Sequence, residues 1–295
     1  MGVASATPSS DIDDFLRRCV FPTPGTHVDC AFSGGADSSA LLVLAVAAGL
    51  DVTAHHVNHH LRSSSTSEAE HAERIATSIG VAFVLHHVEP GAGPNLEARA
   101  RTARQQVLPP GALTGHTADD QAETLLIRLL RGAGSTGLSA IEPGPTHPLL
   151  ALRRADTEAI CAHHGITPVT DPTNTDPAFW RNRVRNELIP LLNDIAGRDP
   201  VPVLRRTADL LRDDDQFLDR LAEALDPTDA RAVANADPVI ARRALRRWLT
   251  VDGYPPDLAA IERVLAVANG DTLACEIAGG RRIARKDQRL RVEHE

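Results

Sequence analysis

Apolar runs of strand length alternate with segments of helical periodicity through the first half of this chain, and that alternation constrains its fold more than any other feature. The runs lie at residues 27–32, 52–57, 81–86, 111–116 and, less clearly, 166–170. Helical patterns with apolar residues about 3.6 apart follow four of them, at 38–48, 68–79, 96–107 and 118–131. Parallel strands need crossover connections, and the helices supply them. The pattern predicts an α/β fold, a doubly wound parallel sheet with helices on both faces. Such sheets bind ligands beyond the carboxyl ends of their strands, and every unusual residue cluster in this half falls at such an end. One composite site is expected there.

At 295 residues the chain exceeds the usual size of a single core. The stretch Gly197-Arg198-Asp199-Pro200-Val201-Pro202 breaks the alternation. Helical patterns resume at 204–225, 238–249 and 256–268, and short strand-like pieces follow at 273–277, 282–284 and 290–292. The expected division is a larger α/β domain over 1–198 and a smaller, mainly helical domain over 199–295 that ends in short strands.

A formal charge of −8 argues against binding nucleic acid or membrane through the net field, so a nucleic-acid partner must meet a local basic patch. Cys19, Cys30, Cys161 and Cys275 form no C-x-x-C pair, which fits a reducing compartment. Residues 1–14 lack the basic and apolar regions of a secretory signal, and no apolar run is long enough to span a bilayer. A cytoplasmic protein without a membrane partner is expected.

After the run ending at Phe32, Ser33-Gly34-Gly35-Ala36-Asp37-Ser38 allows a tight turn with exposed amides, and Ser38 or Ser39 is expected to open the next helix. Converging N–H groups and the positive end of the helix dipole make an anion site. Neither a Walker ending in Gly-Lys-Ser/Thr nor G-x-G-x-x-G is present, which disfavours P-loop NTPases and Rossmann dehydrogenases. A glycine turn with a capping serine is the plain structural alternative.

This loop resembles the S-G-G-x-D-S signature of the PP-loop, or N-type, ATP pyrophosphatases. The motifs His56-Val57-Asn58-His59-His60-Leu61-Arg62, Gly115-His116-Thr117-Ala118-Asp119-Asp120-Gln121-Ala122-Glu123-Thr124 and Arg128-Leu129-Leu130-Arg131-Gly132 narrow the resemblance, as do Asp171-Pro172-Thr173-Asn174 and Arg181-Asn182-Arg183-Val184-Arg185. Together they are similar to the tRNA(Ile)-lysidine synthetases. That resemblance implies ATP-dependent joining of lysine to C2 of the wobble cytidine, position 34, in an isoleucine tRNA with a CAU anticodon. The cytidine is first adenylated with loss of pyrophosphate, and the lysine amine then displaces AMP.

Such chemistry needs donors that hold the leaving pyrophosphate and a cation that neutralises it. Ser33, Gly34, Gly35, Ala36, Ser38 and Ser39 are the candidate ATP-binding residues, and Asp37 could hold Mg²⁺ through oxygen or simply cap the helix. His56, Asn58 and His59 follow the second strand, where the nucleoside of ATP would lie, and His116, at the end of the fourth, is a further candidate ATP contact. A zinc site in the histidine run lacks a completing ligand set at familiar spacing. The amine arrives as an ammonium, so an acidic pocket must receive it and a base must deprotonate it. Asp119, Asp120 and Glu123 share one flank of the helix after Thr117; with the resemblance, Asp120 and Glu123 become the lysine-binding pair and Asp119 the helix-capping acid. Without it, a capped helix start explains all three. Arg104 is assigned to the catalytic set by its motif position, with a solvated helix face as the alternative.

Arg181, Arg183 and Arg185 are candidates for phosphates of ATP or of tRNA. In the smaller domain, Arg242 and Arg246, and Arg282 and Arg285, are candidate tRNA contacts within basic clusters that could also be solvated surface. With one Tyr, two Trp and six Phe, recognition through tRNA shape and backbone is expected over base stacking. Thr117 stands where the family often has histidine. The motifs leave the oligomeric state open, a homodimer included, along with the general base and the means of discriminating tRNA. The rival enzyme reading is a PP-loop tRNA-thiolation enzyme, which would need cysteine pairs. The rival from another class is a module that binds ATP or tRNA without chemistry.

Overall fold

The computed structural model describes residues 8–60, 65–89, 91, 96–169 and 176–294. The motif residues Leu61 and Arg62 and the stretch 171–174 lie outside them. The chain gathers into two compact units, Met1–Ala208 and Asp209–Glu295.

In the first unit β1 (His27–Ala31), β2 (Asp51–Asn58) and β3 (Ala82–His87) form a parallel sheet in the order β1-β2-β3. Val28 pairs with Val52, and His55 pairs with Val84. The expected fourth strand is a single parallel bridge between Leu113 and Cys30 on the free side of β1. Ala31 N–H donates to Leu113 O and Leu113 N–H to Asp29 O, both at 2.8 Å. It extends no further because Pro109 and Pro110 bring no N–H, and Thr114 N–H turns away to Thr146 O. The chain therefore winds outward from β1 to β3 and then crosses back past β1. The winding reverses at the carboxyl end of β1, which is where a doubly wound sheet opens a crevice.

The fifth expected run is not a strand through residue 169, and Thr170 is not among the described residues. Val169 N–H instead donates to Gly34 O at 2.9 Å, tying this segment to the glycine loop.

Helix α1 spans Pro8–Arg17, α2 Ala36–Ala47, α3 Ser65–Ile79, α4 Leu96–Val107, α5 Ala118–Leu130, α6 Ser135–Leu138 and α7 Arg154–His163. The run Ala40 to Ala45 in α2 is buried on every side, so this helix is central to the core rather than amphipathic. With Cys30, Phe32, Ala54, Ile75, Leu149 and Ile160 it forms the core of the unit. Then α8 (Trp180–Arg183), a π-helical turn (Val184–Leu188) and α9 (Ile189–Ala196) run on as one helical segment. Pro190 cannot donate to the carbonyl four residues back, and the helix widens just before it. Gly197, in the left-handed region at φ 61°, stops the segment.

Helix α10 (Val201–Glu223) leads into the second unit, where α11 (Ala230–Asn235), α12 (Pro238–Leu249) and α13 (Leu258–Asn269) precede an antiparallel sheet of β4 (Ala274–Ile277), β5 (Arg281–Lys286) and β6 (Arg289–His294). Asp229, Asp237 and Asp257 each cap the helix that follows by accepting backbone N–H groups. Leu245, Leu249, Ile261, Val264, Ile283 and Leu290 fill this unit's own core. Among the described residues, no helix is long and apolar enough to cross a membrane.

Candidate active site

The glycine loop is shaped by its own serines. Ser33 N–H donates to Ser38 Oγ at 3.2 Å, Gly35 N–H to Ser33 Oγ at 3.3 Å, and Ser38 Oγ–H to Gly35 O at 3.0 Å. Gly34 takes φ +82°, and a Cβ there would also meet Val169 Cγ2 at 2.8 Å. Helix α2 starts at Ala36 rather than at Ser38 or Ser39 as expected, with Gly35 as its N-cap and no side chain capping it. The serine hydroxyls are drawn into the turn, so first-turn amides are left for an external anion. Ser39 is buried, with its hydroxyl 3.4 Å from Gly34 O.

Asp37 does not cap the helix. Its Oδ1 accepts from Thr157 Oγ at 2.5 Å, while Oδ2 lies 3.7 Å from Arg154 Nε. Burial raises its carboxyl above the ordinary range despite the Thr157 hydroxyl.

Thr117 is the N-cap of α5, as expected, but the capping acid is Asp120 and not Asp119. Asp120 Oδ2 accepts from Thr117 N–H at 2.9 Å and from Thr117 Oγ at 3.0 Å. The reason is positional: residue N3 of a capping box reaches back to the cap, and Asp120 holds N3. Asp119 faces α7, accepting from Arg153 Nε at 3.0 Å, Arg153 Nη2 at 2.9 Å and Arg154 N–H at 2.8 Å. Burial would raise both carboxyls. Arg153 and the Arg154 N–H hold Asp119 below its ordinary value, and Arg181 with the Thr117 N–H does the same for Asp120.

Asp120 and Glu123 come together as expected, and they do so around arginines. Glu123, fully buried, accepts from Arg181 Nε at 2.7 Å, Arg185 Nε at 2.6 Å and Arg185 Nη2 at 3.1 Å. Arg181 Nη2 also donates to Asp120 Oδ1 at 3.2 Å. Four residues apart on a helical segment, Arg181 and Arg185 share a face, and the π-turn carries the second of them. Arg183 points elsewhere, to Glu187 on the exposed side at 2.9 Å.

Arg154, at the start of α7, links the two ends of the site. Its guanidinium stands 3.4 Å from Glu123, 3.6 Å from Asp120 and 3.7 Å from Asp37. Sequence reasoning missed Arg154 and Thr157 because they belong to no recognised motif. It also missed why Gly115 is glycine: a Cβ there would lie 2.6 Å from Asp37 O and 3.0 Å from Ser38 N, so the acidic motif packs directly on the glycine loop.

On the strand ends, His56 Nδ1–H donates to Phe32 O at 3.0 Å, which leaves Nε2 as an acceptor in the neutral ring. Burial lowers its pKa. His59 is lowered by burial and by Arg104, and its buried Nδ1 has no partner among the described residues. Asn58 is committed to its own loop, donating to Ser65 O at 3.2 Å and accepting from His60 N–H at 2.9 Å. Burial drives His116 down to about 4, and its Nδ1 lies 2.7 Å from Thr114 Oγ. Arg104 lies on α4 within electrostatic reach of His59 and His116.

The second unit's arginines are largely engaged. Arg242 pairs with Glu262 at 2.6 Å and Arg282 with Glu293 at 3.2 Å, while Arg285 donates to Ala268 O at 2.6 Å and to Gln288. Arg246 is exposed on α12. Among the described residues, no group of three or more His, Cys, Asp or Glu side chains converges as a metal site.

A family model described as a PP-loop domain matches residues 8–192. The tRNA(Ile)-lysidine synthase of Rhodococcus erythropolis is 42% identical over 247 residues, covering 78% of this chain and 76% of that one. That of Nocardia farcinica is 40% identical over 270 residues, covering 84% and 85%. Among solved structures, a U34-tRNA thiolase from Methanococcus maripaludis aligns with TM-score 0.56 at 16% identity, covering 69% of this chain and 78% of that one, a likeness of fold alone. On the matched PP-loop domain and this level of identity over most of its length, the chain belongs to the tRNA(Ile)-lysidine synthase family of PP-loop enzymes.

Proposed function

We propose that this protein joins lysine to C2 of cytidine 34 in an isoleucine tRNA with a CAU anticodon, at the expense of ATP. The cytidine O2 attacks the α-phosphate and pyrophosphate leaves. The lysine side-chain amine then attacks C2, AMP departs with the oxygen, and the nitrogen loses a proton. The observation that carries this reading is the placement of a buried acid pair, Asp120 and Glu123, on a helix whose entry residue Gly115 packs against the glycine loop. One end of the site suits phosphates and the other a cationic amine, joined by a backbone contact.

In this reading the amides of the first turn of α2 and the serines of the loop receive the phosphates of ATP. His56 Nε2 is an acceptor for the nucleoside, and His59 Nδ1 offers a further polar contact. Asp37 Oδ2 suits Mg²⁺, being a carboxylate oxygen without a close hydrogen bond at the loop, and the ion would supply charge neutralisation on the phosphates. Asp120 and Glu123 receive the ammonium, Arg104 serves the phosphate end, and Arg246 is the most accessible of the proposed tRNA contacts on α12. The cytoplasmic location and a smaller tRNA-binding domain over 199–295 belong to the same proposal.

Sulfur insertion is disfavoured by the thiols. Cys19, Cys30, Cys161 and Cys275 form no C-x-x-C pair, and burial raises all four thiols, Cys19 and Cys30 to about 12 and Cys161 to about 11. The test is release of AMP and pyrophosphate from ATP. Sustained release of both is expected only when lysine and the CAU isoleucine tRNA are present together, with at most a single round of pyrophosphate release from ATP and tRNA alone; equal sustained turnover without lysine contradicts the proposal.

A further inference from the structure

The acid pair is already neutralised from within. The carboxylates of Asp37, Asp120 and Glu123 face the guanidiniums of Arg154, Arg181 and Arg185, so charges cancel across the cluster. A lysine ammonium entering this arrangement would be a surplus cation in a buried place. One guanidinium has to leave first.

We infer that Arg154 is that exchangeable group: it keeps the acid pair closed until the phosphates of bound ATP draw its guanidinium away, so that lysine binding follows ATP. This rests on the function proposed above. Arg154 is singled out by geometry. Arg181 and Arg185 hold Glu123 through bonds of 2.6 to 3.1 Å, whereas the contacts of Arg154 lie between 3.4 and 3.7 Å. Weakly held by every partner, it gives up little by moving. It also reaches furthest toward the glycine loop, with Nε on the Asp37 side, so phosphate oxygens there can accept from its forked donors.

The backbone of Arg154 is anchored while its side chain is not. Asp119 accepts from Arg154 N–H and, with both oxygens, from Arg153. The guanidinium can therefore swing without unseating α7. Once it turns to phosphate, Arg181 and Arg185 stay on Asp120 and Glu123, and the ammonium takes the place beside those two carboxylates that Arg154 vacated. Arg154 is a positioning residue in this scheme, coupling the occupancy of one end of the site to the other.

The test is calorimetric titration of lysine into the full chain, with and without Mg²⁺ and α,β-methylene-ATP, which cannot lose pyrophosphate. For the wild type, the nucleotide analogue should tighten lysine by about tenfold or more, and lysine should tighten the analogue by the same factor. Arg154→Met keeps the aliphatic stem and removes the charge. It should bind lysine without nucleotide to within about threefold of the saturated wild type, with the nucleotide effect lost, whereas Arg154→Lys should retain it. Wild-type lysine affinity indifferent to the analogue overturns the inference and leaves the proposed function standing. So does an Arg154→Met variant, with a normal melting curve, that keeps the full nucleotide dependence. No lysine binding to the wild type even with the analogue overturns both. Should Arg154→Met fail to fold, the reciprocal wild-type coupling and Arg154→Lys still decide the question.

Discussion

The carbonyl oxygen of Asp37 lies 2.6 Å from the position a Cβ would occupy on Gly115. The Gly115 motif and the glycine loop are thus held apart by less than a methyl group. Gly115→Ala must push the loop or break the turn after Leu113, at a cost of about 1–3 kcal/mol from overpacking. A lower melting temperature is expected, with a loss in ATP binding larger than the loss in tRNA binding, measured by thermal denaturation and titration. Unchanged ATP binding would show that the loop tolerates displacement.

Glu123→Gln removes the charge that two close guanidiniums share. Leaving Arg181 and Arg185 without it should cost about 3 kcal/mol, somewhat reduced by their partial exposure. Urea unfolding of the variant against wild type reads this directly.

Asp120→Asn keeps an acceptor for the Thr117 N–H but loses the charge facing Arg181. Stability should fall by about 1 kcal/mol, as for a weakened cap. The KM for lysine should rise far more than the Kd for ATP does. An equal loss of both would refute the assignment of this acid to the lysine end.

His116 gives a pH signature. Its folded pKa of about 4 lies below the ordinary 6.5, so folding favours the neutral ring. That contribution is fully present above about pH 6.5, is lost progressively as pH falls toward about 4, and loses nothing further below. His116→Asn should therefore flatten the dependence of Tm on pH across that window. Identical profiles for variant and wild type would contradict the burial argument.

Much of the fold was legible because strong periodicity survives tertiary context. Residues 96–107 and 238–249 are helices at the expected bounds, and the glycine break at 197 stops α9. The run 111–116 looked like a strand by apolar content, yet the prolines before it and the turn at Thr114 leave one bridge. The joining of loop, acid pair and arginines in one half was readable from motif order. Their pairing was not: whether Asp119 or Asp120 reaches back to Thr117 depends on where the helix starts to within one residue. Arg154 was invisible for a further reason, since its role arises from α7 packing against α2, a contact no local pattern encodes.

The central claim concerns what is added and to which base, and a nucleoside digest of treated tRNA answers both. After incubation of the CAU isoleucine tRNA with the protein, ATP, Mg²⁺ and lysine, mass spectrometry should show one cytidine replaced by a cytidine bearing lysine, and mapping of ribonuclease fragments should place it at position 34. Omitting ATP or lysine should abolish it. An unmodified cytidine 34 with the full set, or sulfur in place of lysine, would contradict the account.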